Sequence, residues 1–89
     1  MQDALWKAIR DYLSGITREN FSGKYDDLAN ILIEYNEMGM GRDAIMALWS
    51  EYARWMADSW DVYQDEVFVE ISNRLEGYCP PHYILYLKP

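Results

Sequence analysis

Leu28-Ala29-Asn30-Ile31-Leu32-Ile33-Glu34-Tyr35-Asn36-Glu37, then Met38-Gly39-Met40-Gly41, then Arg42-Asp43-Ala44-Ile45-Met46-Ala47-Leu48-Trp49 is the stretch that sets the architecture. Leu28, Ile31, Leu32 and Tyr35 recur at i, i+3, i+4 and i+7, the period of one buried helix face. Asp26 and Asp27 stand in the first turn of that helix, where anions are favoured, after Ser22 or Gly23 as candidate caps. Two glycines around Met40 allow a tight turn between antiparallel helices. The spacing predicts a helix over about 24–38 and another over about 42–57. In the latter, Ile45, Leu48, Trp49, Tyr52, Trp55 and Met56 fall on one arc, opposite Asp43, Ser50, Glu51 and Arg54.

The same reading extends both ways. Leu5, Ala8, Ile9, Tyr12 and Leu13 predict a first helix over 2–14, stopped by Gly15. Ile16 to Gly23 is a connector in which Thr17 caps a single turn and Phe21 plugs the core. A fourth helix is expected over about 60–76, capped by Asp58 or Ser59, with Trp60, Tyr63, Val67, Phe68, Ile71, Leu75 and Tyr78 inward and Gly77 at its end. Pro80 and Pro81 argue against helix in the last segment, and no partner strand exists for 83–87. An extended tail lying across the bundle is expected. The fold class is therefore all-α: one domain over 1–89, a compact bundle of about four helices with an extended C-terminal tail.

Fifteen Asp and Glu stand against eight Lys and Arg, a formal charge of −7, with fourteen aromatics among 89 residues. Such a field repels phosphates, so direct binding to nucleic acid or an anionic membrane is not expected, and a basic protein partner is. Cys79 is the only cysteine, which excludes an internal disulfide and suits a reducing compartment. The start of the chain has no secretory pattern, and no apolar run approaches the ~20 residues of a membrane helix. A cytoplasmic protein is expected.

Little in the chain suggests a reaction. Cys79 and His82 share a proline-rich turn and could be half of a zinc site or a thiol–imidazole pair. Structural zinc wants four ligands, and a cysteine nucleophile needs an anion-stabilising pocket, so a packed cysteine and a turn-bonding histidine are the simpler reading. Asp26-Asp27 and Asp65-Glu66 are adjacent, and adjacent helical residues point about 100° apart rather than forming a dyad. No phosphate loop, Ser–His–Asp order or His-Glu helix motif occurs. No enzyme activity, catalytic residue, metal site or cofactor is expected.

The fourth helix carries the best functional signal. Its outer face is predicted to hold Asp58, Asp61, Asp65, Glu66 and Glu76 with Ser72 and Asn73, and Val62 and Val69 fall at the middle of that face. A solvated face has no need of two apolar β-branched residues. An apolar centre within a charged rim is the composition of a protein-binding patch. No Lys or Arg lies between Asp58 and Glu70, so these charges lack intrahelical i,i+4 partners. A second candidate surface is the start of the second helix, at Tyr25, Asp26 and Asp27. Edge aromatics such as Trp6 and Trp55 suit interfaces too.

Ile33-Glu34-Tyr35-Asn36-Glu37-Met38-Gly39-Met40 and Leu75-Glu76-Gly77-Tyr78-Cys79-Pro80-Pro81-His82 together resemble a family of small helical bacterial proteins. Its members pair a YNxMGM helix end with a C-terminal GWCSPH turn. Tyr78 stands here in place of the usual Trp, and Pro81 follows Pro80 where Ser-Pro is usual. The resemblance covers about residues 28–87. Some members look like immunity proteins of polymorphic toxin systems, including contact-dependent growth inhibition. The resemblance implies a bacterial toxin inhibitor that forms a complex with a cognate toxin domain. The acidity suggests a basic nuclease as that toxin, because nucleases bind phosphates. The acidic helix is outside the shared pattern. A phage or host adaptor acting as a nucleic-acid-mimicking decoy has the same composition.

Overall fold

The computed structural model describes residues 2–56, 58–59 and 61–89. Four α-helices follow in order: α1 Gln2–Ser14, α2 Tyr25–Glu37, α3 Arg42–Met56 and α4 Val62–Glu76. Short 3-10 turns occupy Phe21–Gly23 and Pro81–Tyr83, and the described residues contain no strand. The shortest dimension is 19 Å, about two helix diameters. The radius of gyration is 12.3 Å, close to the roughly 12 Å expected of a folded chain of this length.

The helix ends explain the order of elements. Gly39 has φ +109° and Gly77 φ +82°, a conformation that costs an L side chain roughly 1–2 kcal/mol. At the end of α2, Met40 N–H donates to Tyr35 C=O and Gly39 N–H to Asn36 C=O, both at 3.1 Å. This is the Schellman pattern, and it turns buried Met40 back into the core. At the end of α4, Tyr78 N–H donates to Asn73 C=O at 2.9 Å, the same six-residue closure.

Apolar faces of all four helices converge. Leu5, Ile9 and Leu13 of α1 meet Leu28 and Leu32 of α2, Ile45, Leu48, Trp49 and Tyr52 of α3, and Val67, Phe68, Ile71 and Leu75 of α4. Trp49 stacks on Phe68 with ring centroids 4.1 Å apart. Its indole N–H donates to Ser72 Oγ at 2.9 Å, so Ser72 is half-buried and faces the core rather than the outer face expected for it. Phe21 packs its ring on Tyr63, centroids 5.1 Å apart, as the loop plug expected from sequence.

Several boundaries and positions need correction. α4 begins at Val62, and its cap is Asp61, not Asp58 or Ser59: Asp61 Oδ1 accepts from Tyr63 N–H and Gln64 N–H, each at 2.9 Å. Tyr78 is 75% exposed, because Gly77 has already turned the chain off the inner face. Trp55 is also exposed. In the connector, Asn20 supplies the side-chain bond, its Oδ1 accepting from Thr17 N–H at 2.7 Å. The expectations for Trp60 and for a third helix reaching residue 57 lie outside the described residues.

Pro81 opens a 3-10 turn instead of extended chain, since proline at a first helical position loses no required N–H. From Ile84 onward the chain has no regular structure but is firmly bonded. Leu85 N–H donates to Arg74 C=O at 2.9 Å and Arg42 N–H to Lys88 C=O at 3.0 Å. Buried Asn36 holds the end of the tail: its Nδ2 donates to Met40 C=O (3.0 Å) and Lys88 C=O (2.9 Å), and its Oδ1 accepts from Lys88 N–H (2.9 Å). Leu85 and Leu87 are thereby carried into the core. Asn36→Ala is expected to destabilise the fold by about 2–4 kcal/mol, the sum of three hydrogen bonds and the groups left unpaired. Chemical denaturation measures the loss, and faster amide exchange at Lys88 locates it.

Candidate functional site

Helical geometry puts Val62, Asp65, Glu66, Val69, Asn73 and Glu76 in one stripe along α4, at i, i+3, i+4, i+7, i+11 and i+14. Asn73 is half-buried and the others are exposed. Val62 is 69% and Val69 46% exposed, so neither valine is covered by the tail or by α1. Asp65 and Glu66 lie between them. Asp58 is exposed in the turn that precedes α4. Asp61 serves the helix itself, its carboxylate being taken up by the two backbone N–H groups that it caps.

The α2 start divides. Asp26 turns toward α4, where its Oδ1 accepts from Arg74 Nη1 at 2.9 Å. Asp27 turns toward α1: its charge, after burial, helps push the Tyr12 phenol up to about 12. Tyr12 itself donates to Lys24 C=O at 2.9 Å. Asp27 therefore stands apart from the α4 surface, and Tyr25 and Asp26 join it. The link is electrostatic as well as steric. Burial first, then the charges of Glu66 and Glu70, raise the Tyr25 phenol above its ordinary value, opposed by Arg74. Tyr25 and Asp26 thus lie against the Glu66–Glu70–Arg74 edge of α4.

Arg74 is the residue that sequence reading missed. Its side chain is only 10% exposed, on a helix face otherwise given to Val67, Ile71 and Leu75. It bonds Asp26 across the helices and Glu70 one turn back on α4, the latter at 3.4 Å. Burial alone lowers its proton affinity, but the hydrogen bonds and charges of the two carboxylates outweigh this and raise it. The Tyr83 ring lies over the guanidinium at 5.1 Å, closing the other side. Ser22, Gly23, Tyr25, Asp26, Arg74 and Tyr83 line a cleft of about 230 Å³ there. The available signal was a basic residue at an apolar heptad position with a glutamate four residues earlier.

Among the described residues no three His, Cys, Asp or Glu side chains gather to hold a metal ion. Cys79 is half-buried, and His82 packs its ring 4.3 Å from that of Tyr83. No helix among the described residues is long and apolar enough to cross a membrane. No family model, curated protein or solved structure matches the chain.

Two outcomes test this geometry. Glu66→Gln removes a negative charge beside Tyr25 and is expected to lower the phenol's titration midpoint toward its ordinary value, as followed by ultraviolet absorbance against a Tyr25→Phe control. Arg74→Met is expected to cost about 1–2 kcal/mol in denaturation. That is less than the roughly 3–5 kcal/mol of a fully buried broken pair, because Asp26, with an 85% exposed side chain, is rehydrated at once.

Proposed function

We propose that the protein is a bacterial immunity protein that binds and neutralises a cognate toxin domain, a basic nuclease. The observation that carries this reading is the exposure of Val62 and Val69 on either side of Asp65 and Glu66, which make no ion pair among the described residues. Asp58, Asp65 and Glu66 pair with lysines and arginines that line the toxin's phosphate-binding cleft, with Tyr25 and Asp26 at the margin, where Asp26 is already paired with Arg74. Val62 and Val69 supply the desolvated centre. Inhibition is steric and electrostatic, with no covalent step. Attraction between opposite fields accelerates encounter by roughly 10–10³-fold at low salt. The motif resemblance to immunity proteins supports the class, and the acidic face supports the basic partner.

Charge reversal is the test. Asp65→Lys combined with Glu66→Lys leaves the Asp61 cap intact, so the fold is retained, with thermal melting as the check. Affinity for the toxin domain co-purified from the adjacent gene is expected to fall by about 10–100-fold, most of it at low salt. Unchanged affinity with unchanged salt dependence would show that this face is not the binding surface.

A further inference from the structure

A second concavity lies between α1 and α3, and none of its lining residues belongs to α2 or α4. Its volume is about 250 Å³, below the roughly 300–1,000 Å³ of pockets that enclose drug-sized ligands. It suits one side chain. Ala44 and Ala47 leave room on α3, and Leu48 gives an apolar floor. Trp6 forms a wall, and its indole is braced by neighbouring rings: Tyr52 meets it edge-on at 5.0 Å and Trp55 lies tilted to it at 5.3 Å. Asp3 and Glu51 stand at the rim from opposite helices. Ion pairs among the described residues engage Arg10 and Arg74 but neither of these carboxylates.

We infer that this cleft receives a single arginine side chain of a protein partner. Its chemistry has three parts that only arginine matches together. An aliphatic stem covers the alanines and Leu48. A planar guanidinium packs against an indole better than a compact ammonium does. Two carboxylates on different helices can each accept from its fork of N–H donors. The α1 start carries a partial positive charge, which Asp3 offsets, so Glu51 supplies the net attraction. A braced indole spends little ordering entropy on binding. This cleft is separate from the α4 surface, and it suits any partner that presents an arginine, whether or not that partner is a toxin.

The probe is the capped tripeptide acetyl-Gly-Arg-Gly-amide, titrated into the full chain by NMR. Its citrulline analogue, equal in shape but neutral, and its lysine analogue serve as controls. Saturable shifts at the Trp6 indole N–H and the Ala44 and Ala47 amides are expected, with a roughly millimolar dissociation constant, the range open to a ligand of this size. Glu51→Gln, on an exposed side chain, is expected to weaken binding by about three- to tenfold. Equal binding of the citrulline or lysine peptide overturns the assignment. So do shifts that bypass Trp6, or affinity indifferent to Glu51→Gln. Because α4 is untouched in this experiment, its failure leaves the charge-reversal result at Asp65 and Glu66 standing, and the reverse holds as well.

Discussion

One buried amide holds the end of this fold together. Asn36 sits on the apolar side of α2 and spends its donors and its acceptor on the backbone of Met40 and Lys88. A polar group in a core is tolerable only when its bonds are made, and here the partners come from the α2–α3 turn and from a residue 52 positions away. With Lys88 fixed, Leu85 and Leu87 become core residues, and the last segment becomes part of the bundle. With the Pro81–Tyr83 turn placed, Tyr83 lies over Arg74. A small domain has few apolar residues to spare, so the leucines that the tail delivers matter to the whole.

The same constraint separates scaffold from surface. The segments 33–40 and 75–82 contain Asn36, Gly39, Met40 and Gly77: a clamp, two left-handed helix ends and a core plug. Their chemistry is that of closing helices and retaining the tail. The outer stripe of α4 has none of these duties. Arg74, its nearest cation, is turned inward and occupied by Asp26 and Glu70. Asp65 and Glu66 face solvent and make no ion pair among the described residues, which leaves a mild self-repulsion that a basic partner would relieve.

Helix number and the buried stripes were legible from periodicity, because Leu5, Ile9 and Leu13, or Val67, Phe68, Ile71 and Leu75, repeat on one face without interruption. The cap of α4 was not. Asp58, Ser59 and Asp61 are all good cap residues, and only backbone geometry chooses among them: Asp61 is extended, with φ −82° and ψ 172°, and its side chain reaches two N–H groups. Asn36 and Arg74 were hidden for another reason. Each looks like an error in an apolar stripe until partners 52 and 48 residues away arrive. The exposed valines were legible as misplaced, but the joining of Tyr25 and Asp26 to them needed the crossing of α2 over α4.

The valines contribute little to the free protein, Val62 least. A side chain left 69% exposed, as Val62 is, gains little burial energy on folding, and Val69 at 46% gains only part of it; valine is also a poorer helix former than alanine by a fraction of a kcal/mol. Asp65 and Glu66 between them add repulsion rather than stability. The stripe thus contributes little to the monomer, while the opposite face of the same helix is well packed. Sites where local rules fail without internal compensation are where function is expected to reside. A partner that covers Val62 and Val69 and brings cations to Asp65 and Glu66 would reverse each of these penalties at once. The net acidity of the chain thus resolves into carboxylates with separate roles. Asp61 starts a helix, Asp26 and Glu70 hold a buried arginine, and Asp65 and Glu66 remain free to meet a basic surface.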